Sequence, residues 1–245
     1  MNEGLYKTVR FKNPKYVGDP INTVKLFNEK GVDEIVLLDI SASREKKAIN
    51  FKKIAEIAGE AFMPMAYGGG VKTFDDAKRV FDAGYEKVII NSAAVENAAV
   101  IGEIANVYGS QSAVVSIDAR PNWAGKYRTY TLGGTAGTGA SPAVFAKEME
   151  NAGAGEIFIN SIEMDGTWGG YDLPLIKMVS EAVGIPVIAC GGAAGIEDFK
   201  KAVVEGGASA VAAGSMFVYQ KKGMGVIINF PSEEELKKKF YFFLK

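Results

Sequence analysis

The sequence predicts an α/β fold: a (βα)8 TIM barrel in one domain over residues 1–245, built from two similar half-barrels and short of its first strand. Short β-rich runs alternate with segments of helical period, the pattern of βα units around a parallel sheet. The chain also overlays on itself at a shift of 123 residues. That overlay leaves one strand without a partner, and a length of 245 residues suits a single α/β barrel.

In chain order the strand candidates are 34–39, 62–67, 87–91, 113–118, 156–160, 186–190 and 208–212. Each is a short run such as IVLL, KVII or EIFIN that reads as a buried strand. Helices are expected from about Asp19, Asn50, Thr73, Asn97, Ser141, Asp172, Ile196 and Ser232. Asp19, Thr73, Ser141 and Ser232 are residues that cap helix N-termini by accepting from free backbone N–H groups. Gly125 followed by the partly alternating KYRTYTL (126–132) predicts a small hairpin inserted after the 113–118 strand.

The stretch MAYGGGVKTFDDAKRVFDAG (65–84) overlays on IACGGAAGIEDFKKAVVEGG (188–207) without a gap. Gly68 and Gly69 fall on Gly191 and Gly192, Val80 on Val203, Gly84 on Gly207, and Ser92 on Ser215. GVDEIVLL from Gly31 falls on GAGEIFIN from Gly153, at a shift of 122. The strand ending VVSIDAR then calls for a counterpart that lies before Met1. A barrel missing that strand leaves backbone groups unpaired. The apolar FYFFLK run (240–245) either fills the opening or simply ends the last helix.

Composition narrows the chemistry. With 28 basic and 29 acidic residues mixed along the chain, nothing favours nucleic acid or a membrane surface as partner. No secretory pattern or long apolar stretch is present, so a cytoplasmic location is expected. Histidine is absent and Cys190 is the sole cysteine, which removes His-based nucleophile pairs and the usual metal ligands. No metal and no cofactor is expected, and proton transfer must rest on Asp, Glu, Lys, Tyr, Cys190 or water.

The glycines of 68–70, including Gly69 and Gly70, and of Gly191–Gly192 stand at the C-terminal ends of predicted strands, where barrel enzymes keep their active sites. Bare N–H groups before a helix N-terminus make an anion site, phosphate being the usual occupant. The alternative is that they only allow tight turns. One strand later, Asn91 with Ser92 and Gly214 with Ser215 offer small residues and hydroxyls to complete each cradle, so that two sites would hold a substrate phosphorylated at both ends. Asp118 ends an apolar strand at the same rim, as a proton-shuttling carboxylate or as a structural Asp bonding loop amides. Asp39 carries the same two readings, and Asp165 in EMDGT reads as part of a ligand-binding loop acting through its backbone. Glu34, Lys87 and Glu156 open three strands, as solvated rim charges or as a paired ring closing the bottom of the barrel.

Five stretches taken together, GDPINTVKLFNEKGVDEIVLLDISAS, YGGGVKTFDDA, INSAAVENAAVIGEIANVYGSQSAVVSIDAR, GAGEIFINSIEMDGTWGGYD and PVIACGGAAGIEDF, resemble the cyclase subunit of imidazole glycerol phosphate synthase, the HisF family. The resemblance runs from about Lys7 to Phe217. It implies a duplicated half-barrel that docks a glutaminase subunit on its N-terminal face and conducts ammonia to the other. There ammonia meets a bisphosphorylated ribulose-type substrate, giving imidazole glycerol phosphate and an aminoimidazole carboxamide ribotide. By motif, the resemblance makes Asp118 one of two catalytic aspartates. It assigns Gly70, Asn91 and Ser92 to one phosphate site, and Asp165, Gly166, Gly192, Gly214 and Ser215 to the other. Glu34, Lys87 and Glu156 become members of the ammonia gate, and Lys7 the lysine of a mobile loop after the first strand. The family's second catalytic aspartate and its gate arginine belong to the strand expected before Met1.

The end of the chain, GSMFVYQKKGMGVIINFP, is more similar to a divergent branch associated with surface-polysaccharide synthesis. In that branch the barrel hands ammonia to a sugar amidotransferase that makes an acetamidino sugar. Three functions stay open at this point: a cyclase, an ammonia conduit, and a non-catalytic phosphate-binding scaffold.

Overall fold

Residues 5–18 give no strand signal, yet in the computed structural model, which describes residues 4–244, they fold into an antiparallel hairpin of β1 (Leu5–Val9) and β2 (Lys12–Gly18). Its two turn residues, Arg10 and Phe11, both take positive φ, 52° and 60°. Such turns ordinarily recruit Asn-Gly because each L-residue there pays about 1–2 kcal/mol.

The expected βα alternation follows. In chain order come α1 (Pro20–Glu29), β3 (Ile35–Leu38), α2 (Ala42–Glu45), α3 (Phe51–Ala58), β4 (Met65–Gly68), α4 (Phe74–Asp82), β5 (Lys87–Ile90), α5 (Ser92–Glu96) and α6 (Ala99–Tyr108). Next are β6 (Ala113–Pro121), β7 (Tyr127–Thr131), β8 (Ala136–Gly137), α7 (Pro142–Asn151), β9 (Glu156–Ser161), α8 (Leu173–Ser180) and β10 (Val187–Cys190). The last are α9 (Ile196–Val204), β11 (Ala210–Ala212), α10 (Ser215–Val218) and α11 (Glu233–Lys239). All seven expected strands and all eight expected helices are present; the short α2, α5 and α10 are additions.

The seven strands pair in parallel in the order β3-β4-β5-β6-β9-β10-β11. The expected hairpin is there: β6 runs on to Pro121 and β7 returns against it, with Asp118 opposite Tyr130. The repeat is also visible in space, since β4-α4-β5-α5 and β10-α9-β11-α10 follow the same order, and Gly69 and Gly192 share positive φ values of 116° and 107°.

Apolar runs without alternation arise because both faces of the sheet are covered. Met65, Tyr67, Ile90, Val115, Ile117, Ile157 and Ile159 pack outward against the helices in the main core. Ala66, Ile89, Val114 and Phe158 point to the other face and form a separate small cluster with Val36, Ile188, Cys190 and Ala212. Each fully buried Ile or Phe contributes roughly 1.5–3 kcal/mol.

Helix α4 is fixed by a reciprocal cap: Thr73 Oγ1 accepts from the Asp76 N–H at 3.1 Å while Asp76 Oδ2 accepts from the Thr73 N–H at 3.1 Å. Asp19 and Ser232 also cap as expected. Ser141 holds the N-cap position of α7 but its side chain makes no capping bond.

Two expectations are corrected. The fourth strand starts at Met65 rather than at residue 62: Pro64 interrupts the run, and Phe62 is 90% exposed in the preceding loop. The FYFFLK run does not join the sheet over its described part. It ends α11 and turns once as a 3-10 helix (Tyr241–Leu244), with the Phe240 ring edge-on to Phe199 of α9 at 5.9 Å. Lys245 lies outside the described residues. Among the described residues β3 and β11 are therefore the two edges of the parallel sheet.

Candidate active site at the C-terminal ends of the strands

Asp118 is the first charged residue of β6, after the wholly buried Ala113–Ile117 run. Parallel register places it beside Asn160 of β9, and Asn160 in turn beside Cys190 of β10 and Cys190 beside Ala212 of β11, so one row of side chains crosses this end of the sheet. Asn91 Nδ2, at the end of β5, donates to the Ser116 carbonyl at 3.0 Å and reaches Asp118 Oδ2 at 3.4 Å. Burial pushes the Asp118 carboxyl up to about 7, the charge of Asp165 adding to the rise and a hydrogen bond from Ser116 offsetting part of it. A carboxyl poised near neutrality at this rim is suited to move protons in either direction. The thiol of Cys190 is pushed up to about 12, chiefly by burial, which leaves it neutral.

Asp165 follows β9 in a turn closed by its own N–H to the Ser161 carbonyl at 3.0 Å. Its backbone groups are both engaged, the carbonyl accepting from Arg10 N–H at 2.9 Å. Its carboxylate accepts from Thr8 Oγ1 at 2.7 Å, from the Phe11 N–H at 3.3 Å and from Lys7 Nζ at 3.4 Å. These bonds hold the strained β1–β2 turn over the strand ends. The side chain of Asp165 is only 9% exposed, so the ion pair with Lys7 is little screened.

Lys7, Asp165, Gly166, Cys190, Gly191, Gly192, Gly214 and Ser215 line one pocket, bringing the second-half candidates together. A Cβ on Gly214 would lie 2.8 Å from Lys7 Nζ, and one on Gly192 2.1 Å from the Gly170 carbonyl oxygen. Gly192 thus needs both its positive φ and its bare Cα. Gly192→Ala is expected to lower stability by roughly 2–3 kcal/mol through backbone strain and collision, as a shift in the urea midpoint.

In the first half, Gly69 has φ 116° and a Cβ added there would lie 2.5 Å from the Asp39 carbonyl oxygen, while Gly70 has φ 79°. Both glycines thus take conformations that a tight turn requires. Asp39 takes the structural role: its Oδ1 accepts from the Ser41 N–H and hydroxyl, both at 2.9 Å, and from the Ala42 N–H at 3.1 Å. Ser92 begins α5, and its hydroxyl accepts from the Leu132 N–H at 3.3 Å. Ser215 begins α10 in the same way after β11.

At the opposite end of the strands, Lys87 Nζ lies 3.0 Å from Glu34 Oε2 and 3.0 Å from both carboxylate oxygens of Glu156. The three strand-opening charges are thus one cluster rather than separate rim residues. Burial draws the Lys87 ammonium down, but the hydrogen bonds and charges of Glu34 and Glu156 outweigh it and raise its pKa. Between this cluster and Asp118 lies the small apolar group around Val114 and Phe158.

Asn160 was missed from sequence. It ends the EIFIN strand and falls in register with Asp118, and that register is the signal that marks it. Among the described residues no helix is long and apolar enough to cross a membrane. No group of three or more acidic or thiol side chains among them is placed to hold a metal ion.

The profile of the histidine biosynthesis protein family matches residues 4–223. The "Putative imidazole glycerol phosphate synthase subunit hisF2" of Pseudomonas aeruginosa is 48% identical over 96% of this chain and 94% of its own length. A similarly titled HisF protein of Leptospira interrogans is 43% identical over 97% of this chain and 94% of its own. The imidazole glycerol phosphate synthase subunit HisF of Alkaliphilus metalliredigens is 41% identical over 89% of this chain and 86% of its own. The profile match and these identities over most of the chain establish that this protein belongs to the histidine biosynthesis protein family, among its HisF members.

Proposed function

We propose that the chain is the cyclase subunit of a glutamine-dependent synthase. It receives ammonia from a glutaminase and uses it to form imidazole glycerol phosphate and aminoimidazole carboxamide ribotide from a bisphosphorylated ribulosyl substrate. The observation that carries this reading is Asp118: a carboxyl held near neutrality at the strand ends, flanked by two repeat-related glycine turns. In a chain without histidine such a group is a suitable proton acceptor and donor.

The other parts follow from position. Lys7, Gly166, Gly191, Gly192, Gly214 and Ser215 bind one phosphate, with the Lys7 ammonium supplying the positive charge. Gly69, Gly70, Asn91 and Ser92 serve the other. The Lys87 cluster guards the entrance on the N-terminal face, and the apolar group above it forms a lining that an uncharged ammonia molecule crosses more readily than an ammonium ion does.

The glutaminase docks on the N-terminal face. Phe62 stands there, 90% exposed, just ahead of β4, its N–H held by Asn28 Oδ1 at 3.0 Å. An exposed aromatic on a fixed loop suits a binding anchor. Phe62→Ala is expected to weaken the complex roughly 30-fold, about 2 kcal/mol, by titration calorimetry, with the unfolding midpoint unchanged.

The function itself is tested by incubating the chain with ammonium and the bisphosphate substrate. Product from the natural chain, and none from Asp118→Asn, is expected. Unchanged turnover in that variant would remove Asp118 from the mechanism.

A further inference from the structure

Among the described residues, Asn160 carries an oddity on the inner face of the sheet that the assigned roles leave unexplained. It is 7% exposed, yet its Oδ1 is buried without a hydrogen-bond partner. A buried amide oxygen left unpaired is costly, and native structures keep such groups where something outside the chain completes them. Its surroundings narrow what that is. Asp118 stands beside it on β6 and Cys190 on β10, both in register, and the bare Cα of Gly191 leaves room next to the oxygen, a Cβ there falling 2.9 Å away. One turn of the pleat below on the same strand is Phe158, a member of the apolar lining, and two below is Glu156 of the lysine cluster. An amide oxygen only accepts. Its partner is therefore an N–H or O–H donor, small enough to come up the inner face of the sheet.

We infer that Asn160 Oδ1 is the acceptor that receives ammonia at the end of the apolar lining and holds it next to Asp118. This rests on the proposed ammonia-using function and adds to it a binding group for the nitrogen nucleophile. Ammonia has three N–H donors and a lone pair, so a hydrogen bond to Oδ1 leaves the lone pair free to face the substrate. Asn160 thus contacts a reactant without exchanging a proton with it, and Asp118 keeps the proton-transfer role.

The first test is nuclear magnetic resonance of the natural chain. The Asn160 side-chain carbonyl carbon, assigned by its loss in Asn160→Leu, is followed while ammonium chloride replaces sodium chloride at constant ionic strength. A saturable shift is expected; a carbonyl resonance that does not respond to ammonium overturns the inference, whether or not the chain turns over. The second test is kinetic. Asn160→Leu keeps the shape and removes the acceptor, so the KM for ammonium should rise roughly tenfold with the KM for the bisphosphate unchanged. An unchanged KM for ammonium, or an equal rise in both constants, contradicts the assignment. A saturable shift in a chain that makes no product would retain the ammonia site and discard the cyclase reading.

Discussion

Asp118→Asn is expected to abolish product formation while making the folded chain more stable at pH 8. Loss of a positioned acid or base costs typically 10²–10⁴-fold in rate. The gain in stability follows from linkage. The carboxyl titrates at about 7 in the folded chain against an ordinary 3.8. Below 3.8 both states hold the proton, and stability is unaffected. Between the two values the unfolded chain releases the proton and the folded chain retains it, so stability falls as pH rises, and above about 7 the full loss is present. Asparagine removes that loss. Allowing for the partial exposure of Asp118, the gain should be about 1–3 kcal/mol at pH 8 and vanish near pH 3.5, read from urea unfolding at both. A variant equally destabilised at both would mean that Asp118 is a structural residue.

Lys87→Met is the second large effect, with the opposite sign. Glu34 and Glu156 would face each other without the cation 3.0 Å from both, in a partly buried setting. Breaking such a cluster by removing one partner costs roughly 3–5 kcal/mol when buried, so about 2–3 kcal/mol is expected at these exposures. If the cluster also guards ammonia entry, glutamine-driven turnover of the complex should fall at least tenfold while ammonium-driven turnover holds. Equal losses in both would confine Lys87 to stability.

Much of this arrangement was legible in the amino-acid order because the repeat and the apolar runs report backbone position directly. Glu34, Lys87 and Glu156 were readable as one ring because all three open strands, and parallel pairing gathers strand starts at one end. Asp118 was readable for the same reason at the other end. The β1–β2 hairpin was not, since Arg10 and Phe11 occupy a turn that local chemistry disfavours and that contacts from Asp165, some 155 residues away, hold in place. Asp39 showed the limit differently: its rim position matches that of Asp118, and only the three donors from Ser41 and Ala42 separate a loop anchor from a proton carrier. Asn160 escaped notice because an Asn at a strand end is unremarkable until its oxygen is found unpaired.

The proposed function is tested most directly by product analysis of the chain assembled with its glutaminase and supplied with glutamine and the bisphosphate substrate. Imidazole glycerol phosphate formed in step with glutamate release is expected. Glutamate released together with free ammonia and no imidazole product would contradict it. That result would leave the barrel a conduit to a third protein such as a sugar amidotransferase.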